Sequence, residues 1–466
     1  MRLAWLSCVF AGPLPRRRQS AGFTLVELTV ALLAGLIVAM GIVSLAKEST
    51  QTFHDEARAA AAEATLRTAA DRLRADLARG GYMSTGNIMA DTNIARPLGQ
   101  ATPQIPAGMP GLKSLASIQL TEGGSVVANG IPLSGVQTPT ALAPDAILIA
   151  GNMTSSEEFE VQIFEPPSGN CQRVLLSATS PALLRVAPTA DTQQAQDLRN
   201  LFQPVPATLA TQFLVRIVDD TGRTQFVATC PETNAAGFAN GAPYVDIDAI
   251  NTPVLTAQQT GTIGGISGFA SGRAFVNAVQ IVRWEITTSA KESQNQAQYA
   301  NALDNLPTGG IDPNKYDLVR SFVDITTGQV LPQTTELVAE YAVDLDFAFS
   351  VDNTQLGASS PNVVTFAFGD NADNDLYAQN VALQAPPLTQ GPQRIRSVRA
   401  RIVTRSAIAD RTVNVPVTNF GNETYIYRYC INSSPSCDAA DGLLRWARAR
   451  TITSEVALPN LSRDFF

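Results

Sequence analysis

One carboxylate, Glu27, lies in an otherwise uncharged apolar run that extends from Phe23 to Ala46. A charged side chain at the centre of a bilayer costs roughly 2.5–3.5 kcal/mol or more, so a simple anchor has no reason to carry one. In a low-dielectric bundle of helices a lone carboxylate is costly, whereas a carboxylate paired with a cation is tolerated. The chemistry available at this position is ion pairing.

The apolar run predicts a transmembrane helix over residues 23–46, since it is long enough to cross a hydrocarbon core of about 30 Å. Arg16–Arg18 precede it and should stay in the cytoplasm, which places the C-terminal bulk outside. A cleaved secretory signal would have a shorter apolar region, and a twin-arginine signal would need more than the adjacent arginines. Residues Leu3–Gly12 are also largely apolar. They are compatible with a lipobox before Cys8, and equally with a start codon that has been placed too far upstream.

A helical pattern continues beyond the membrane segment. Residues 47–79 contain no Pro or Gly and are rich in strong helix formers. Apolar residues recur at helical spacing from Leu66 through Ala69, Ala70 and Leu73 to Leu77, and the following Gly80-Gly81 provides a stop. We therefore expect one helix from about Thr24 to Arg79, roughly 84 Å long, with residues 47–80 as its periplasmic half.

From residue 81 onward the patterns favour strands, and residues 83–140 favour loops and short strands. A helix followed by many strands predicts an α+β fold, with the helix laid on a mainly antiparallel sheet that carries loop insertions. Residues 190–210 and 288–312 are polar and are expected on the surface. The expected strands are Asp145–Ile149, Phe159–Phe164, Phe213–Val218, Thr224–Thr229, Val279–Thr287, Val338–Phe349, Asn362–Phe368, Val398–Thr404 and Thr451–Ala457.

Charge and residue usage argue against nucleic-acid binding and against most enzymatic chemistry. The formal net charge is -8, and removal of residues 1–22, which hold four arginines and no acid, would leave -12; an acidic chain lacks the basic surface that nucleic acids require. The only histidine, His54, is expected on the helix surface, so no Ser-His-Asp or Cys-His arrangement can form beyond the helix. We predict no enzymatic activity and no cofactor, although a hydrolase built on carboxylates alone stays open.

Two motifs resemble known ligand-binding loops but lack residues that those loops require. Asp370, Asp373 and Asp375 form an acidic loop that is a weak candidate for Ca²⁺, but an EF-hand loop needs Gly and Glu where this loop has Leu376 and Ala382. The Gly-rich stretch 261–268 lacks the Lys of a P-loop. We predict no metal site and a solvated turn at the acidic loop.

Four cysteines follow the membrane segment, where the chain should be in an oxidising compartment. Three pairings are possible; the short loop between Cys430 and Cys437 favours that pair, which leaves Cys171 with Cys230 by elimination. No Cys-x-x-Cys motif is present, so a zinc or thioredoxin-like site is not expected.

The N-terminal region resembles the class III leader of type IV pilins and of type II secretion pseudopilins. The shared features are a basic leader, Gly22 before the cleavage point, Phe23 as first mature residue and Glu27 at the fifth mature position. The resemblance implies that a prepilin peptidase cleaves after Gly22 and N-methylates Phe23. It also implies that Glu27 meets the positive N-terminus of a neighbouring subunit in a filament.

The segments after the leader resemble PilW-type minor pilins over about half of the chain. The matching segments are Ala64–Tyr82, Asp145–Ile149, Asp317–Arg320, Glu336–Leu345, Arg396–Ser406 and Thr451–Leu461. Residues 83–140 and 230–275 match nothing in that family, and the chain is long for it.

The resemblance implies a minor pilin that takes part in initiating type IV pilus assembly, in a priming or tip complex that supports adhesion, twitching motility or DNA uptake. Its expected partners are other minor pilins, the major pilin, the prepilin peptidase and the inner-membrane assembly platform. The expected location is the inner membrane, with a single pass and a periplasmic domain over residues 81–466, and then the pilus fibre or tip. A J-like pseudopilin of type II secretion and a membrane-anchored adhesin or hydrolase stay open as alternatives.

Overall fold

The computed structural model describes residues 24–96, 103, 105–106, 108–121, 123, 131–132, 141–186, 192–206, 209–255, 273–288, 315–354, 362–369, 377–378, 390–409, 418–420, 423–431 and 446–461. The chain divides into two compact units, Met1–Arg58 and Ala59–Phe466.

The first element is a single helix, α1, which covers Leu25–Ala78. It ends where expected, because Gly81 adopts a positive φ of 72° that other residues rarely reach. The amide of Gly80 donates to the carbonyl of Leu77, and the amide of Gly81 leaves the helix to donate to the carbonyl of Ala150. The prediction that one helix runs through both halves and stops at Gly80-Gly81 is confirmed.

The remaining described elements are short helices and strands. The helices are α2 (Pro110–Lys113), α3 (Pro181–Val186) and α4 (Thr192–Phe202). The strands up to the longest one are β1 (Ile118–Thr121), β2 (Ile131–Pro132), β3 (Ala141–Leu142), β4 (Ala146–Gly151), β5 (Phe159–Phe164), β6 (Cys171–Leu176), β7 (Leu214–Asp219), β8 (Thr224–Ala228), β9 (Ala236–Ala239), β10 (Ala242–Asp248) and β11 (Ala274–Thr288). The later strands are β12 (Tyr316–Phe322), β13 (Glu336–Ala339), β14 (Ala342–Asp352), β15 (Val363–Thr365), β16 (Ile395–Arg405), β17 (Thr418–Phe420), β18 (Glu423–Tyr425), β19 (Arg428–Cys430) and β20 (Trp446–Ala457).

The larger sheet has eleven strands and is organised around β11. The first part of β11, up to Val279, pairs with β5 and β7, and the part from Gln280 onward pairs with β4 and β12. All of these pairings are antiparallel, so the predicted antiparallel character of this region is confirmed. The strand begins at Ala274, five residues before the predicted start at Val279.

The second sheet has five strands in the order β15-β14-β16-β20-β19, all antiparallel. Along its central strand β16, Arg399 and Arg401 alternate with apolar residues, a pattern typical of a half-buried antiparallel strand. Arg399 is partly buried, but Arg401 is buried and forms ion pairs with Asp344 and Asp346 on β14. The half-buried pattern is therefore wrong at Arg401, because alternation along a strand does not show what covers its polar face.

Asp145 joins the two sheets. It directly precedes β4 of the larger sheet, and its amide donates to the carbonyl of Leu345 on β14 of the smaller sheet, at 2.7 Å. Its carboxylate accepts the amides of Phe347, at 3.2 Å, and Gly123, at 3.1 Å. A buried carboxylate thus satisfies backbone donors at the junction, as buried polar groups must.

The main hydrophobic core brings the last turns of α1 together with both sheets. The helix residues in it are the five predicted from spacing, and all of them are buried: Leu66, Ala69, Ala70, Leu73 and Leu77. The strands contribute large side chains that include Trp284 on β11 and Phe347 on β14. A second core lies where β5–β11 meet α3 and α4.

Two further expectations need correction. Val338–Phe349 was expected to be one strand, but Glu340 and Tyr341 separate β13 from β14, and Tyr341 has a left-handed φ of 56° that a strand cannot accommodate. Residues 190–210 were expected on the surface, yet α4 buries Leu198 and Phe202 completely because its apolar side faces the second core. Residues 289–312 lie outside the described part of the chain.

Candidate functional site

The start of α1 positions Glu27 through a reciprocal hydrogen-bond motif with Thr24. The Thr24 hydroxyl oxygen accepts the amide of Glu27 at 3.3 Å, and Glu27 Oε2 accepts both the amide and the hydroxyl of Thr24 at 3.2 Å. This is the capping box, in which a Thr before the helix and a Glu three residues later satisfy each other's backbone donors. We did not predict this capping box from the sequence, although the Thr-x-x-Glu pattern indicates one.

The capping box uses only part of the Glu27 carboxylate. Within the described residues Oε1 has no hydrogen-bond partner and no cation lies within ion-pair distance, and the side chain is exposed. The positive end of the helix dipole favours a carboxylate here, so capping alone explains its presence locally. The second oxygen is nevertheless available to a cation supplied from outside the chain.

The helix segment from Leu25 to Leu45, which contains Glu27, presents apolar side chains on every side of the helix. Thirteen large apolar side chains are between 55% and 80% exposed. They are Leu25, Val26, Leu28, Val30, Leu32, Leu33, Leu36, Ile37, Val38, Met40, Ile42, Val43 and Leu45. A helix that is apolar all round requires lipid or other apolar helices around it, and Leu25–His54 is long and apolar enough to cross a membrane.

The last turns of α1 are held to the sheets by polar contacts as well as by the core. Asp76 Oδ2 accepts Nε of Arg320 at 2.6 Å and the indole N–H of Trp284 at 2.9 Å, and both Asp76 and Arg320 are buried. Near the surface Arg72 pairs with Glu336 at 3.1 Å. A buried ion pair resists separation, since either charge alone would be strongly penalised.

The cysteines form structural bonds rather than a metal site in the described residues. Cys171 and Cys230 are joined in a disulfide, the pair left by elimination, with 5.7 Å between their Cα atoms. Glu232 lies beside them, within 4.8 Å of both sulfurs. Sulfurs bonded to each other are not thiolates, so this group cannot bind a metal ion while the disulfide is intact. Cys430 is also disulfide-bonded, whereas its predicted partner Cys437 lies outside the described residues.

Several predicted site residues cannot be placed. Gly22 and Phe23, which would carry the cleavage and methylation, lie outside the described residues, as does the acidic loop with Asp370, Asp373 and Asp375. His54 lies on the exposed surface of α1, as expected. The described part of the site is therefore the capped helix start with Glu27 and the apolar segment after it.

Comparison with protein-family models, curated proteins and solved structures gave no significant match.

Proposed function

We propose that this chain is a minor pilin that takes part in initiating type IV pilus assembly, in a priming or tip complex. One observation carries the proposal: the Glu27 carboxylate, of which one oxygen has no hydrogen-bond partner among the described residues, stands at the start of an exposed and mainly apolar helix segment that follows Gly22 and Phe23. Such a helix can pack beside similar helices, and Glu27 can pair with the new N-terminal ammonium of a neighbour. The role is one of assembly and requires no reaction at the site.

The partners follow from this role. The apolar segment would first anchor the chain in the inner membrane and then bundle with the major pilin and other minor pilins, while the sheets would contact partner pilins outside the membrane. Adhesion, twitching motility or DNA uptake would depend on the assembled fibre. A J-like pseudopilin of type II secretion is the second candidate, because the same helix start would serve its shorter filament equally well.

Peptidase dependence tests the class. Intact-mass and N-terminal peptide analysis of the membrane-extracted protein should find an N-methylated Phe23 terminus in cells with the prepilin peptidase and an uncut chain in cells without it. Deletion of the gene should remove surface pili if the priming role is correct. A chain that stays uncut in both strains would refute the pilin class and return the anchored adhesin to first place.

Two substitutions separate docking from capping at the helix start. Glu27→Gln removes the charge but keeps a side chain that can complete a capping box, whereas Thr24→Ala removes the box, at a cost of about 1 kcal/mol, and keeps the carboxylate. Docking predicts that Glu27→Gln loses incorporation into sheared pili while Thr24→Ala keeps it, at equal membrane levels of both variants. The reverse order would mean that Glu27 only caps the helix.

A further inference from the structure

A polar cavity of about 710 Å³ opens beside the end of α1, within the second unit. It lies where five segments converge: the turn at Gly81–Ser84, the loop at Asp91–Asn93, the residue before β5 (Glu158), the β7–β8 hairpin and the turn at Pro459-Asn460. Its volume falls in the range of roughly 300–1,000 Å³ that is typical of small-molecule sites. Neither the proposed docking of Glu27 nor the membrane segment involves it.

The backbone at one wall is held in an unusual conformation. Met83 has a left-handed φ of 49°, which is uncommon for a residue with a long side chain. The backbone carbonyl of Met83 accepts a hydrogen bond from the side-chain amide of Asn277 at 2.9 Å. The backbone carbonyl of Tyr82 accepts one from the backbone amide of Asn152 at 2.9 Å. Backbone strain that neighbouring hydrogen bonds maintain is found preferentially at ligand sites.

Two acids and one base face the cavity. Arg216 donates through Nη1 to Glu158 Oε1, at 3.0 Å, and to Asn277 Oδ1, at 3.3 Å. Asp91 accepts the hydroxyl of Thr85 at 2.9 Å. Burial raises the pKa of Asp91 and lowers that of Arg216, although the two charges oppose these shifts in each other. The wall is therefore desolvated, and the charge of Arg216 offsets part of the charge of the two acids.

Several polar atoms of the wall have no partner within the described residues. Ser84 Oγ and Arg216 Nε are buried without a hydrogen bond, although more than nine in ten buried polar groups normally have one. Glu158 Oε2 and the side-chain amide of Asn93 also make no hydrogen bond there. Ser84 Oγ and Arg216 Nε are closed to solvent, whereas Glu158 and Asn93 are at least partly exposed at the wall and offer a ligand one acceptor and one donor.

We infer that this cavity binds a neutral saccharide. A sugar hydroxyl both donates and accepts hydrogen bonds, so adjacent hydroxyls can pair at once with the carboxylate of Glu158 and with the side-chain amide of Asn93. An anionic ligand would meet two carboxylates, and the guanidinium of Arg216 disfavours a metal cation. The inference goes beyond the assembly role and does not depend on it.

Saccharide titrations of the full chain test the assignment, in a detergent that has no sugar headgroup. The probes are glucose, galactose, mannose, N-acetylglucosamine, maltose and chitobiose, followed by saturation-transfer NMR and calorimetry. Asn93→Ala is the principal variant, because this exposed side chain has no hydrogen bond in the described structure whose loss would disturb folding. Asn170→Ala is the matched control at an exposed asparagine outside the cavity.

At least one probe should bind the wild type and Asn170→Ala equally. Asn93→Ala should weaken that binding by about twofold to tenfold, the effect of one lost hydrogen bond. Absence of binding by every probe would overturn the inference, and so would binding that Asn93→Ala leaves unchanged. Displacement of the sugar by calcium or by a free amino acid, at higher affinity, would assign the cavity to that ligand instead.

Discussion

Stability of the second unit should fall as pH rises, because of the acids at the junction between the two sheets. Asp145, Asp344 and Asp346 lie together there, and Nη2 of Arg401 is 3.3 Å from Asp344 and 2.6 Å from Asp346. Removal of a carboxyl group from water disfavours its charged form, and a neighbouring carboxylate disfavours it further. Burial, together with the charge of Asp346, raises the pKa of Asp145 to about 8, and burial raises that of Asp344 to about 7.

The sign of the effect follows from proton binding. Asp145 in the folded chain keeps its proton to about pH 8, whereas in the unfolded chain the carboxyl group loses its proton near its ordinary pKa of 3.8. Between these values the folded state binds more protons, so the free energy of unfolding decreases as pH rises and levels off above about pH 8. At about 1.36 kcal/mol for each pH unit, the loss from about pH 5 to pH 8 is on the order of 4 kcal/mol.

Denaturant unfolding of the detergent-solubilised chain measures this effect. Tryptophan fluorescence is a suitable signal, since Trp284 and Trp446 are fully buried. The isosteric variant Asp145→Asn cannot ionise and should flatten the decline in unfolding free energy between about pH 5 and pH 9, whereas Asp71→Asn on the exposed face of α1 should leave it unchanged. A wild type that gains stability over this range, or an Asp145→Asn variant with the full decline, would refute the argument.

Three further predictions concern the contacts that hold the fold. Asp76→Ala should destabilise the chain by about 3–5 kcal/mol because it strands a buried arginine, whereas Asp71→Ala, whose side chain is 77% exposed, should cost about 0–1 kcal/mol in the same denaturant assay. Leu73→Ala should cost about 2–5 kcal/mol by leaving a cavity in the main core, and a loss below 1 kcal/mol would show that α1 is not packed there. Replacing Cys171 and Cys230 together by serine should cost about 4 kcal/mol, since the disulfide closes a loop with a sequence separation of 59 residues; equal stability of the reduced wild type and oxidised wild type would contradict this.

The proposed function and the cavity can be tested independently. Peptidase dependence and the Glu27→Gln variant address assembly through α1, whereas the Asn93→Ala variant addresses a site in the second unit. Saccharide binding without pilus incorporation would support an anchored adhesin, and incorporation without binding would leave a purely structural subunit.

The sequence determined the long helix, the buried face of its last turns and most strand positions. These features are local: apolar residues at helical spacing from Leu66 to Leu77 predict which face is covered, and Gly80-Gly81 predicts the end. Predicted strands such as Phe159–Phe164 coincide with the observed strands because alternation and β-branched residues favour an extended chain without reference to distant segments.

Only the tertiary structure decided which charges became buried and which residues meet. The contact between Asp76 and Arg320 joins positions 244 residues apart, and no spacing rule connects them. Arg401 follows the alternation of a solvent-facing position, yet it is buried, where it pairs with Asp344 and Asp346 of the neighbouring strand and lies against the ring of Phe368. The cavity likewise exists only because five separate segments of the chain converge.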